Sequence, residues 1–96
     1  MKKGYWVVAY HSISDGEALK KYGQLAMPAI EAGGGKAVIR SATAIPHEAG
    51  LNQRTVVVEF PSLESAISTY NSPAYEAARE ALGSGAERDF RIVEGV

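Results

Sequence analysis

The chain has no cysteine among its 96 residues. Disulfides, thiolate nucleophiles and thiolate metal sites are excluded, and that absence alone leaves the compartment open. It also lacks an excess of positive charge, since ten basic against eleven acidic side chains leave a formal net charge of −1. A nucleic-acid binder needs a basic surface, and no Lys/Arg run here interleaves with aromatic residues. No stretch approaches the roughly 20 apolar residues that a membrane helix requires. The apolar run from Tyr5 to Tyr10 is too short for a signal h-region and ends at His11. The expectation is a cytoplasmic protein with neither nucleic acid nor membrane as partner. Familiar reaction motifs are missing as well: there is no GxSxG elbow and no HExxH. Gly33-Gly34-Gly35-Lys36 precedes a strand, whereas a P-loop needs its glycines after a strand and before a helix. His47 and Glu48 adjoin without a third ligand, so neither metal nor cofactor is expected.

What is present reads as one domain over residues 1–96. Tyr5 to His11 is rich in aromatic and β-branched residues, the mark of a strand. Ser14 to Glu17 has capping-box spacing, with Ser14 as the cap. Behind it Leu19, Tyr22, Ala26, Ala29 and Ile30 form a helical stripe, with Pro28 expected to kink or break it near Gln24. Lys36 to Arg40 is a second short strand, followed by a long connection to Gln53. Arg54 to Phe60 is a third strand, in which Val56, Val58 and Phe60 alternate. Ser62 then caps a helix from Leu63 to Tyr70. Ser72 caps another with Pro73 at its first position, running to about Leu82. Glu87 to Glu94 is the last strand.

The order β-α-β-β-α-β is the split βαβ pattern of an α+β, ferredoxin-like fold. It gives a four-stranded antiparallel sheet with the helices on one face; strands one and three are taken as parallel neighbours within it. Both central strands are apolar on both faces. Helices cover only one of those faces, so the other is expected to meet a second copy of the chain in a homodimer.

Five residues stand out for chemistry. If the first and third strands run parallel, His11 and Glu59 reach a similar level and form a general acid–base pair. The alternative is a half-exposed histidine beside a surface glutamate. Arg40, at the end of the second strand, suits a carboxylate gripped by a bidentate fork, or else an ion pair across the dimer. Tyr70 and Asn71 sit at the corner between the last two helices, where Asn71 can offer its amide to a ligand or simply serve the turn. Tyr22 and Tyr75, at helical core spacing, are expected to pack the sheet.

Taken together, Gly4-Tyr5-Trp6, Ala29-Ile30 to Gly34, Arg40, Val57-Val58-Glu59-Phe60-Pro61-Ser62, Tyr70-Asn71-Ser72-Pro73 with Tyr75, and Val93-Glu94-Gly95 resemble the domain of unknown function 1330 family. The resemblance runs over nearly the whole chain. It implies a small bacterial protein with a ferredoxin-like, dimeric α+β barrel fold, and relatives carry an arginine where Arg40 stands. Two positions depart from the pattern: Gly16, often proline, and Ser41-Ala42-Thr43 in place of a glycine-rich turn. The family carries no assigned reaction. The functional expectation is therefore a homodimer that binds a small anionic organic molecule, either as a cofactor-independent enzyme or as a non-enzymatic binding or structural protein.

Overall fold

The computed structural model describes residues 1–96. Its elements run β1 (Gly4–Ile13), α1 (Gly16–Ala32), β2 (Lys36–Ser41), β3 (Thr55–Phe60), α2 (Leu63–Tyr70), α3 (Pro73–Leu82) and β4 (Ala86–Glu94). The strands form one antiparallel sheet in the order β2-β3-β1-β4, the ferredoxin-like arrangement. The two C-terminal helices start at their expected caps. The Ser62 hydroxyl accepts from the Ser65 amide at 3.1 Å, and the Ser72 hydroxyl accepts from the Tyr75 amide at 3.3 Å.

Two local expectations are corrected. Asp15, not Ser14, caps α1: its carboxylate accepts from the amides of Glu17 and Ala18, each at 3.1 Å, while the Ser14 hydroxyl donates to the Ser84 carbonyl. A carboxylate at this position offers a charged acceptor to the helix's free amides, which a hydroxyl does not. Nor does Pro28 break α1, which runs through it. The missing N–H removes only the intrahelical partner of the Gln24 carbonyl. Gly34, at φ +84°, then turns the chain out of the helix.

Alternation sorts the sheet into two faces. Trp6, Val8 and Tyr10 of β1 are buried against the helices together with Val58 and Phe60 of β3. These meet Ala26, Ala29 and Ile30 of α1, Ala66 of α2, and Tyr75 and Ala78 of α3 in one core. Trp6 is its hub, its ring 4.7 Å from Tyr75, 4.9 Å from Phe60 and 5.2 Å from Phe90, centroid to centroid. Its indole N–H donates to the Ala66 carbonyl at 2.9 Å, so the buried nitrogen is satisfied. The opposite face carries Tyr5, Val7 and Ala9 beside Val57, with Ile39 and Val93 about half exposed toward the edges. No helix covers it.

The helix-facing side chains fall into rows across the strands. Arg54, Tyr10 and Arg88 make the first, with the Tyr10 amide bonded to the Arg54 carbonyl at 2.9 Å. Arg40, Val56, Val8 and Phe90 make the second, and Ala37, Val58, Trp6 and Ile92 the third.

Candidate functional site

The strand directions dissolve the expected acid–base pair. β1 and β3 are antiparallel, so Glu59 lies opposite Tyr5 rather than level with His11. In a split βαβ unit the parallel strands are β1 and β2, and β3 inserts between them in the opposite direction. The Glu59 carboxylate takes a hydrogen bond from the Tyr5 hydroxyl at 3.2 Å and an ion pair from Lys3 at 3.4 Å. His11 is exposed at the far end of β1, beside a register shift between Tyr10 and Ser12. Its acidic neighbour is Asp89, whose carboxyl is held below the usual range first by a hydrogen bond from Arg91 and in smaller part by His11.

Tyr70 and Asn71 do not line the cavity described below. Tyr70 joins the aromatic core beside Trp6, Tyr75 and Phe90, with the Arg79 guanidinium 4.6 Å from its ring centre. Asn71 is the C-cap of α2, and its amide donates to the Ile67 carbonyl at 3.2 Å.

Arg40 does reach a cavity. Ala37 and Arg40, three residues apart, would point to opposite faces of a regular strand. A register shift between Ala37 and Ile39 absorbs one residue, pairs Arg40 with Val56, and leaves both side chains toward the helices. There a cavity of about 640 Å³ opens between α1 and the sheet. That size lies within the range of small-molecule sites. Apolar side chains line most of it, among them Trp6, Val8, Val56, Val58 and Phe90. Its charged lining is of one sign: Lys20, Arg40, Arg54 and Arg88, with no Asp or Glu.

These arginines are not spent on protein carboxylates. The two ion pairs of the molecule are Lys3–Glu59 and Arg91–Asp89. The Arg54 guanidinium stands 5.8 Å from the centre of the Tyr10 ring, and that of Arg88 stands 5.7 Å from the same ring, from the opposite neighbouring strand. The Arg54 Nε is buried and has no hydrogen-bond partner. Arg40 donates only to the Met27 sulfur at 3.4 Å, a weak acceptor. Burial works against the Arg88 charge, but Tyr22 and Tyr75 outweigh it and hold its pKa above the ordinary arginine value.

Tyr22 lines the cavity and does more than pack the sheet. Its hydroxyl accepts from Arg88 Nη1 at 3.0 Å and lies 2.6 Å from the Tyr75 hydroxyl. Tyr75 is fully buried, and burial chiefly drives its pKa far above the usual tyrosine value, so it is a neutral hydroxyl. The proton of that hydroxyl has one acceptor in reach, the Tyr22 oxygen. Leaving it unpaired would cost about 1–3 kcal/mol, so Tyr75 is assigned as the donor and Tyr22 as the acceptor of both bonds.

Arg54, Arg88, Tyr10 and Tyr22 were not singled out as site residues from the sequence. A signal existed. Arg54 shares parity with Val56, Val58 and Phe60, and Arg88 with Phe90 and Ile92, so each places a charge in an otherwise apolar register.

The profile of the domain of unknown function 1330 family matches residues 3–96. The chain belongs to that family. Similar solved structures agree on the architecture. A protein of unknown function from Rhodopseudomonas palustris is 16% identical, with a TM-score of 0.76 over 99% of this chain and 83% of its own. SnoaB, a cofactor-independent oxygenase from Streptomyces nogalater, is 9% identical, with a TM-score of 0.63 over 97% and 92%. A dimeric protein of unknown function with a ferredoxin-like fold from Bacteroides fragilis is 17% identical, with a TM-score of 0.53 over 96% and 95%. At these identities the likeness establishes the ferredoxin-like fold. No curated protein matches this chain. No helix is long and apolar enough to cross a membrane.

Proposed function

We propose that the protein binds a small organic anion in the cavity between α1 and the sheet. The carboxylate is held by Arg54 and Arg40, and the apolar body lies along Val8, Val56 and Val58. One observation carries the reading: a buried arginine Nε without a partner, beside a cavity that holds several cations and no acid. A buried donor left unpaired is costly, and a ligand carboxylate would remove that cost through a charge-assisted bond. The protein works as a homodimer through its open sheet face. The apolar strip of Val7, Val57 and Ile39 supports this, as does the dimer described for the relative from Bacteroides fragilis. With His11 at one end of β1 and Glu59 of β3 beside its other end, the role is binding, and no proton-transfer pair is assigned.

The test uses Trp6, the one tryptophan, which lines the cavity and reports occupancy by fluorescence. Aromatic and aliphatic carboxylates titrated into the protein should quench it saturably. Arg54→Gln should weaken binding at least tenfold, the loss expected for a hydrogen bond to a charged group. Equal affinity in the variant, or no saturable binding at millimolar concentration, would overturn the reading.

A further inference from the structure

Among the polar groups of the cavity that the anion reading leaves unused, the Tyr22 hydroxyl is the one whose acceptor sites are already filled. A tyrosine oxygen has two lone pairs and one proton. Arg88 Nη1 fills one lone pair at 3.0 Å and the Tyr75 hydroxyl fills the other at 2.6 Å. The Tyr22 proton has no acceptor in the protein, and its hydroxyl lies on the cavity wall. Whatever occupies the cavity, water or ligand, takes that proton.

We infer that Tyr22 is a specificity-determining donor, and that the ligand is a carboxylate with a second acceptor, a carbonyl or hydroxyl oxygen, at the Arg88 end of the cavity. The inference rests on the anion reading, which supplies the first anchor. The spacing follows from the sheet. Arg54 precedes β3 and Arg88 lies on β4, with β1 and its Tyr10 between them. Their backbones are therefore two strand spacings apart, about 10 Å. Arg88 holds Tyr22 near its own end of that row, and Arg40 lies with Arg54 at the other. Between the two ends stands the Tyr10 ring, with the Arg54 and Arg88 guanidiniums 5.8 and 5.7 Å from its centre. Phe90 and Val8 in the next row give the cavity an apolar wall beside it. The two donors into the Tyr22 oxygen polarise its O–H, which strengthens the bond it gives.

Two near-isosteric probes separate the second anchor from the first. 4-Acetylbenzoate carries the carbonyl, and 4-isopropylbenzoate replaces it by an apolar group of similar shape. The wild type should bind the acetyl compound about tenfold more tightly, and Tyr22→Phe should abolish that preference. A second measurement needs no variant: the carbonyl of ¹³C-labelled 4-acetylbenzoate should move downfield on binding to the wild type, as a hydrogen-bonded ketone does. Equal affinities for the two probes, a preference that survives Tyr22→Phe, or an unmoved carbonyl resonance would overturn the inference. The isopropyl compound tests the anion reading alone. Failure of that compound to bind sinks the anion reading and, with it, this one.

Discussion

Tyr5 and Glu59 face each other across neighbouring antiparallel strands, and the tyrosine hydroxyl donates to the glutamate at 3.2 Å. Lys3 completes this small polar group at the open end of the sheet. His11 lies six residues further along β1, about 20 Å away at 3.3 Å per residue. The histidine therefore belongs electrostatically with Asp89 and Arg91.

That grouping sets a pH dependence. Asp89 is lowered chiefly by its hydrogen bonds from Arg91, at 3.1 and 3.2 Å. A carboxyl depressed in the folded state contributes stability that is fully present above its unfolded value, about 3.9, and is lost as pH falls through the lower folded value. An NMR titration of Asp89 should give a midpoint below the ordinary carboxylate range, and Arg91→Gln should return it upward. Glu59→Gln should leave it unchanged. A response of Asp89 to Glu59→Gln would place the two carboxylates together and contradict the strand directions.

Two glycines of α1 and its cap should respond oppositely to the same change. A Cβ on Gly23 meets nothing within 4 Å, so Gly23→Ala should gain about 0.5–1 kcal/mol from helix propensity. A Cβ on Gly33 falls on the Thr69 side chain of α2. Gly33→Ala should lose about 1–3 kcal/mol through overpacking. Urea unfolding of the two variants checks both signs. Equal stability of Gly33→Ala and the wild type would mean that Thr69 yields without cost.

The proposed dimer face can be broken without touching the cavity, because Val57 points away from it. Val57→Lys puts an ammonium in the middle of the apolar strip, where a second sheet would have to bury it unpaired. Light scattering should then show the mass fall from twice the 10.2 kDa chain to one chain. A wild-type protein that is already monomeric at micromolar concentration would remove the proposal.

Local signals carried most of the element pattern. Ser62, Ser72 and Pro73 act on amides within three residues, and α2 and α3 occupy the spans expected from them. Ser14 was displaced as cap by its neighbour Asp15, a competition between adjacent residues that spacing alone does not decide. The relative direction of β1 and β3 depends on where α1 and β2 return the chain, which no short window contains. The candidate pair His11 and Glu59 failed for that reason. Arg40 reached the cavity through an irregularity that strict alternation does not encode. Arg54 and Arg88, in contrast, were legible as charges in an apolar register, and reading parity across strands brings them out.

The irregularity in β2 has an effect beyond aiming Arg40. β2 is an edge of the sheet, with one side paired to β3 and the other bare. A flat bare edge templates the addition of further strands and, from there, open-ended fibres. The extra residue between Ala37 and Ile39 bends and twists that edge, so an incoming strand finds no continuous line of donors and acceptors. Growth sideways is discouraged, while the proposed stacking on the open face would be self-limiting because it uses the face up. One inserted residue thus helps to keep assembly finite.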